Sequence, residues 1–221
     1  MFIKEHFQLL VPWLLIAWLI FSLCSWTGLA QIHKAWQKLA VLALAAIMAL
    51  VPFLGLSLAD YLLSLNPNFS IGSLALVGVL LWPKIAGRPL LSESSLRVFC
   101  LWNAGFSLVL FSSCLGLIPY DLYALGYHFS PWFAVMALTT LVAVWVWSPL
   151  SFIFIAYIAA FDLQLLPSPN FFDYLTDGFL LFMSSGLLLF RARPWSTEIQ
   201  GSPGPPRGAE FSQAGKGSAL I

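Results

Sequence analysis

Long apolar segments are the feature that most restricts how this chain can fold. Runs rich in Leu, Ala, Phe and Trp recur through the first 190 positions, separated by short polar breaks. A helix of about 20 apolar residues crosses a hydrocarbon core of about 30 Å, whereas a membrane strand needs only about 10 residues of alternating polarity. In lipid each backbone amide must be paired, and a helix does this within its own segment. We therefore expect an all-α fold, a polytopic transmembrane helical bundle.

The composition agrees with a lipid environment. Of the 221 residues, 60% are hydrophobic and 9% are charged, whereas soluble domains carry about 25% charged residues. The net charge of +1 gives no support for a nucleic-acid partner. The expected partners are the lipid bilayer and other membrane protein subunits. The three cysteines have no CxxC spacing, so they predict neither a zinc site nor a disulfide framework.

Seven apolar runs predict seven spans in a transmembrane domain that covers residues 1–193. They lie near 8–30, 39–59, 70–86, 98–119, 131–147, 151–166 and 173–190. The fifth and sixth runs are about 17 residues long, the lower limit for crossing, so five spans plus a re-entrant hairpin is the alternative. From residue 194 the composition shifts to Gly, Pro and Ser, which predicts a disordered cytoplasmic tail over 194–221.

Basic residues set the expected orientation. Cytoplasmic loops carry an excess of Lys and Arg, and of the ten basic residues only Lys4 falls on the other side of the predicted topology. The N-terminus is therefore expected outside and the C-terminus in the cytoplasm, with the protein in a bacterial inner (plasma) membrane. Acidic residues were not needed for this assignment, yet every aspartate falls on the outer side: Asp60, Asp121, Asp162, Asp173 and Asp177.

Two aspartates at the start of the last span suggest a metal site. Asp173 and Asp177 are four residues apart, so on one continuous helix both carboxylates project from the same face. Carboxylate oxygens are good ligands for divalent cations, and His128 in an outer loop could supply a third ligand. The competing explanation is helix capping, because acidic side chains stabilise the N-terminus of a helix.

Asp121 and Asp162 are the candidate catalytic carboxylates, either of which could act as a general base beside the metal. Asp60 and Asp162 both follow outgoing apolar runs, where the end of a helix is unfavourable to an anion. Asp162 follows its run closely enough to lie below the headgroups. An ionisable side chain at that depth is a functional-site hypothesis by default.

Three classes of function remain open. Enzyme and nucleotide signatures such as HExxH, a P-loop or GxGxxG are missing from the sequence, and the few polar residues within spans, including Asn103 and Ser184, are expected to pack helices together. We therefore favour a non-enzymatic accessory or assembly component of a membrane complex. The alternatives are a small permease, with a path near the helix breaks at Pro52 and Pro83, and an outer-face, metal-assisted hydrolase or transferase acting on a lipid-type substrate. No cofactor is predicted, and a divalent metal is expected only for the enzyme.

Overall fold

The computed structural model describes residues 7–28, 32–53, 55–127, 131–146 and 148–190. Over these residues the chain is helical, with one isolated bridge between Phe53 and Leu56. The all-helical fold class is therefore confirmed for the part that the structure describes. The predicted tail, 194–221, lies outside the described residues.

Each of the seven apolar runs contains at least one helix. In chain order the helices are α1 (Leu10–Thr27), α2 (Ala35–Leu50), α3 (Leu58–Leu65), α4 (Ile71–Ala86), α5 (Glu93–Cys114), a 3-10 turn (Tyr123–Gly126), α6 (Pro131–Trp145), α7 (Leu150–Asp162), α8 (Phe172–Leu175) and α9 (Gly178–Phe190). Among the described residues, α1 and α5 are long and apolar enough to cross a membrane, judged by length and composition. The apolar helices α2, α4, α6, α7 and α9 have 13 to 16 residues. Seven crossings thus stay a prediction.

The second apolar run, 39–59, is divided between two helices. α2 ends at Leu50, where Val51 is extended and Pro52 has no N–H to continue the helix. Gly55 then turns the chain at φ +93°, a value that glycine adopts readily. After this turn, Ser57 caps the new helix α3.

Asp60 therefore begins a helix and does not end one, which corrects the placement expected from the sequence. Asp60 Oδ2 accepts hydrogen bonds from the Ser57 N–H at 2.8 Å and from the Ser57 hydroxyl at 2.7 Å. The Asp60 N–H donates to Ser57 Oγ at 3.1 Å, which completes a capping box. These side-chain and backbone hydrogen bonds from Ser57 lower the pKa of Asp60. The helix dipole favours the anion at this position.

Helix packing defines two ends of the bundle. α1 packs against α2 and α4, and α7 packs against α4 and α6. The Lys38 ammonium donates to the Ile85 carbonyl at 2.6 Å, so the start of α2 lies beside the end of α4. The Ser70 N–H donates to Asp177, so the start of α4 lies beside the start of α9. We call the first the basic end and the second the acidic end.

Many large apolar side chains are exposed, although the buried core is itself mostly apolar. Large apolar side chains are exposed on several helices, among them Trp26 (86%), Trp145 (81%), Phe182 (77%) and Phe190 (89%). The buried residues include polar ones within helices, such as Ser73, Asn103, Ser107, Thr140 and Ser184. Soluble monomers rarely expose large contiguous apolar patches.

Candidate functional site

Asp177 is the most connected acidic residue at the acidic end. It is 7% exposed and lies between α8 and α9. Its Oδ2 atom accepts hydrogen bonds from the Ser70 N–H at 2.6 Å and from the Ser73 hydroxyl at 2.5 Å. Its Oδ1 atom accepts the Leu180 N–H at 2.9 Å. One carboxylate therefore caps α9 and serves as an acceptor at the start of α4.

Two helix N-termini make this position suitable for a carboxylate. Ser70 is the N-cap of α4, and its hydroxyl accepts the Ser73 N–H at 3.0 Å. Each helix N-terminus presents unpaired N–H groups that amount to about half a positive charge. The described partners of Asp177 are all neutral, so these two helix ends provide its electrostatic compensation. Asp177 therefore has the geometry of a helix cap, which is the alternative to a metal-binding role.

A close approach of the chain at Gly72 brings the same elements together. A Cβ atom at Gly72 would lie 2.4 Å from the Leu175 carbonyl oxygen, 2.4 Å from Leu180 Cδ2 and 3.0 Å from Tyr157 Oη. Contacts under about 3 Å are not sterically tolerated between a carbon and a backbone oxygen. Glycine is therefore required here for α4 to lie against α7, α8 and α9.

Thr176 separates Asp173 from Asp177. Its backbone is extended, with φ −144° and ψ 157°, so α8 ends at Leu175 and the two aspartates are not on one helix. Its hydroxyl hydrogen-bonds the Ser107 hydroxyl of α5. The expectation that both carboxylates project from one helix face is wrong, because the chain leaves the helical conformation between them.

Asp173 has a different partner, the Tyr123 hydroxyl, which donates to both carboxylate oxygens at 2.8 and 2.9 Å. Burial raises the pKa of Tyr123, and the adjacent Asp173 carboxylate raises it further, because both disfavour a tyrosinate. Asn170 reinforces this link: its Nδ2 donates to the Tyr123 carbonyl at 2.9 Å and its Oδ1 accepts the Phe172 N–H at 2.8 Å. The 3-10 turn and α8 are therefore joined by polar contacts.

The other predicted site residues have separate surroundings. Asp121 is exposed and accepts the Ala124 N–H at 3.1 Å, which caps the 3-10 turn. Asp162 is the last residue of α7 and lines a cavity of about 310 Å³. His128 lies outside the described residues.

These residues do not form one cluster in the part of the chain that the structure describes. There, no three His, Cys, Asp or Glu side chains are grouped so that they could hold a metal ion. No hydrogen bond among those residues joins Asp121 or Asp162 to Asp173 or Asp177. The metal and catalytic roles therefore receive no geometric support from the placed residues.

Three buried polar atoms in the described helices have no hydrogen-bond partner. They are Asn103 Oδ1 in α5, Tyr157 Oη in α7 and Ser184 Oγ in α9, all on residues that are 0% exposed. The Asn103 amide nitrogen is satisfied by the Phe99 carbonyl at 2.9 Å. Tyr157 was not singled out from the sequence, although it is the one tyrosine that lies within a predicted span and away from the predicted outer side.

The other residues missed by sequence reasoning are Ser70, Ser73 and Thr176. Their signals were visible: Ser70 directly precedes an apolar run, and Thr176 with Asp177 precedes another, which is typical of N-caps. What the sequence does not contain is the pairing between them, since Ser73 and Asp177 are 104 residues apart.

Comparison with protein family models, with curated proteins and with solved structures finds no match to this chain.

Proposed function

We propose that this chain is a multi-pass membrane protein that crosses the bilayer seven times, with its acidic end outside and its basic end in the cytoplasm. The exposed apolar surface supports this, because lipid is the solvent in which Trp145 and Phe182 can be exposed without cost. α1 and α5 have the length to cross. The helices of 13 to 16 residues reach about 20 to 24 Å, so local thinning or adjoining loop residues must cover the rest.

The separation of charge supports the orientation. α4 holds Lys84 in its last turn, and the Lys38 ammonium binds the end of the same helix. At the other end of α4 lies Asp177, about 24 Å away along a 16-residue helix. A basic end in the cytoplasm follows the positive-inside rule.

Within that membrane we propose a non-enzymatic role, as an accessory or assembly component of a membrane complex. One observation carries this proposal: the acidic side chains that could do chemistry are used to hold the fold. Asp60, Asp121, Asp173 and Asp177 each accept hydrogen bonds that cap a helix or link two elements. These hydrogen bonds give each of the four a structural role, and among the described residues Asp162 is the one aspartate whose carboxylate has no hydrogen bond.

Affinity purification in a mild detergent tests the assembly role. We expect the tagged chain to co-purify with a specific membrane subunit in a constant ratio, and native electrophoresis to show one complex larger than the tagged chain. Paired substitutions of exposed apolar residues by serine, on α6 (Leu138, Leu141) and on α9 (Phe182, Leu189), locate the contact. A monodisperse monomer from native membranes, with no bound subunit, contradicts the proposal.

A small permease is the second candidate, and the unpartnered Asn103, Tyr157 and Ser184 favour it because polar atoms in a membrane interior mark solvent or substrate paths. Its test is cysteine accessibility in proteoliposomes, after Cys24, Cys100 and Cys114 are replaced by serine. A permease predicts that Asn103→Cys and Ser184→Cys react with a charged, membrane-impermeant thiol reagent. A closed helix interface predicts that neither reacts, while an exposed Asp121→Cys control does.

A further inference from the structure

The end of α4 has three basic residues around it. Lys84 lies in the last turn of α4, and Arg88 follows the C-cap residue Gly87. The Lys38 ammonium of α2 donates to the Ile85 carbonyl at 2.6 Å. Because Ile85 is bonded to Lys84 in the chain, this contact places the Lys38 ammonium beside the backbone that carries the other two basic side chains. We call Lys38, Lys84 and Arg88 the α4 basic patch.

Helix packing holds the α4 basic patch in position. α1 packs against both α2 and α4. Ile85, whose carbonyl binds Lys38, packs against the same apolar cluster as Val41 and Leu42 of α2. The patch therefore lies between α2 and α4, over a packed part of the bundle. Basic sites between membrane helices on the cytoplasmic side are a common way to bind anionic lipid headgroups.

The positive charge of the α4 basic patch exceeds what the protein offers against it. A helix C-terminus carries about half a negative charge, which accounts for one nearby cation but not for three. On the predicted cytoplasmic side the described chain has five basic residues and one acidic residue, Glu93, which lies in the first turn of α5. The sequence 191–221 adds four basic residues and two acidic ones, so it supplies no net negative charge. This surplus favours an anion from outside the chain.

Exposed tryptophans indicate the depth of the patch in the proposed membrane. α1 has Trp26 in its last turn, α2 has Trp36 in its first turn, and Trp82 lies near the end of α4. These side chains are 86%, 64% and 40% exposed. Tryptophan is enriched at the headgroup level of a bilayer, where an amphipathic ring is most stable. The α4 basic patch is therefore expected at the depth of the lipid phosphates.

We propose that the α4 basic patch binds the phosphate of an anionic phospholipid in the cytoplasmic leaflet. The Lys38 ammonium has three N–H donors and uses one of them on Ile85. The Arg88 guanidinium can donate to two oxygens of one phosphate. Phosphatidylglycerol has a net negative headgroup, whereas phosphatidylcholine carries its own cation and gains less from the surplus charge. This inference rests on the proposed membrane location and orientation, and it does not depend on the assembly role.

Thermal unfolding of the purified full chain in detergent micelles tests the site. The probes are phosphatidylglycerol, phosphatidylcholine and sodium phosphate. For the wild-type chain we expect phosphatidylglycerol to raise Tm by about 3 °C or more, and the other two probes to raise it by less than about 1 °C. Native mass spectrometry of the same wild-type chain should show phosphatidylglycerol retained in preference to phosphatidylcholine.

Two matched variants locate the binding. Arg88 and Arg97 are both exposed, and Arg97 lies in α5. Arg88→Gln should lower the phosphatidylglycerol effect by half or more, Arg88→Gln combined with Lys84→Gln should abolish it, and Arg97→Gln should retain it. Far-UV circular dichroism without added lipid confirms that the variants are folded.

The possible outcomes separate this site from the proposed function. The site is overturned if phosphatidylcholine or sodium phosphate matches phosphatidylglycerol, if no probe raises Tm, or if Arg97→Gln weakens the effect as much as Arg88→Gln does. A chain that stays in the membrane fraction after an alkaline carbonate wash but shows no preference for phosphatidylglycerol contradicts this site alone. A chain that the wash releases without detergent contradicts the proposed membrane location itself.

Discussion

The carboxylate of Asp177 accepts the hydroxyl of Ser73 at 2.5 Å, which joins the starts of two helices that are 104 residues apart in sequence. The same carboxylate accepts the N–H groups of Ser70 and Leu180. The acidic end of the bundle is therefore organised around one buried anion and two helix N-termini.

Replacing Asp177 by alanine is expected to destabilise the fold. Three buried donors then lack an acceptor, and a loss of about 3 kcal/mol in the free energy of unfolding is the expected order of magnitude. Thermal unfolding in detergent, followed by circular dichroism, measures the change. Asp121→Ala is the control, since it removes an exposed aspartate with one hydrogen bond. Equal stability of the two variants contradicts a central role for Asp177.

Adding a methyl group at Gly72 is expected to disrupt helix packing. Gly72→Ala places a Cβ atom 2.4 Å from the Leu175 backbone oxygen, which cannot move without shifting α8. We expect a destabilisation of about 1 to 3 kcal/mol. Gly78→Ala is the matched control in the same helix, where a Cβ atom meets nothing within 4 Å. That variant should be neutral or more stable by up to about 1 kcal/mol, because alanine favours the helix. The prediction is wrong if the Gly72→Ala protein is as stable as the Gly78→Ala protein.

Relieving the strain at Gln164 is expected to stabilise the protein. Glycine adopts a φ of +50° without the steric cost of a Cβ atom, so Gln164→Gly should raise the free energy of unfolding by about 1 kcal/mol. Chemical unfolding in mixed micelles measures the gain. Gln164→Ala keeps the strain and should give no gain. If alanine and glycine are equally stable, the left-handed conformation is not the source of strain.

Tyr123 is expected to make the fold sensitive to alkaline pH. Its pKa is raised in the folded protein, so its contribution to stability is complete below the pKa of an unfolded tyrosine, about 10. That contribution is lost as pH rises from about 10 through the higher folded value. Thermal unfolding midpoints should be measured between about pH 8 and 11. As pH rises, the midpoint should fall less steeply for Tyr123→Phe than for the wild-type chain. Tyr120→Phe, with an exposed ring, should keep the wild-type slope.

The positions of the helices followed from the apolar pattern, whereas the breaks within two runs did not. The run 70–86 corresponds closely to α4, and 131–147 to α6. The run 173–190 predicts one helix, but the extended Thr176 divides it. Hydropathy cannot reveal that break, because the polar contact that accompanies it comes from Ser107 on a different helix. The apolar runs are also longer than the helices they contain, since apolar loop residues extend a run without extending its helix.

The contacts of the candidate site residues were not predictable from the sequence. The sequence indicated that the aspartates gather on one side. It assigned Asp60 to the end of a helix, although the Ser57 capping-box pattern three residues earlier was visible. The sequence also predicts a metal at Asp173 and Asp177, whose described side-chain hydrogen bonds come from the Tyr123 hydroxyl, the Ser73 hydroxyl and two backbone N–H groups. Spacing on a helix gives a shared face only when the helix is continuous.

The link between Ser73 and Asp177 also has a consequence for biosynthesis. Because a chain is synthesised from its N-terminus, Ser70 and Ser73 leave the ribosome more than 100 residues before their acceptor exists. During that interval the start of α4 has its own Ser70 cap but not the carboxylate from the last helix. The start of α4 therefore gains these two hydrogen bonds only after residue 177 has been synthesised, and a chain that stops earlier leaves the Ser70 N–H and the Ser73 hydroxyl without this acceptor.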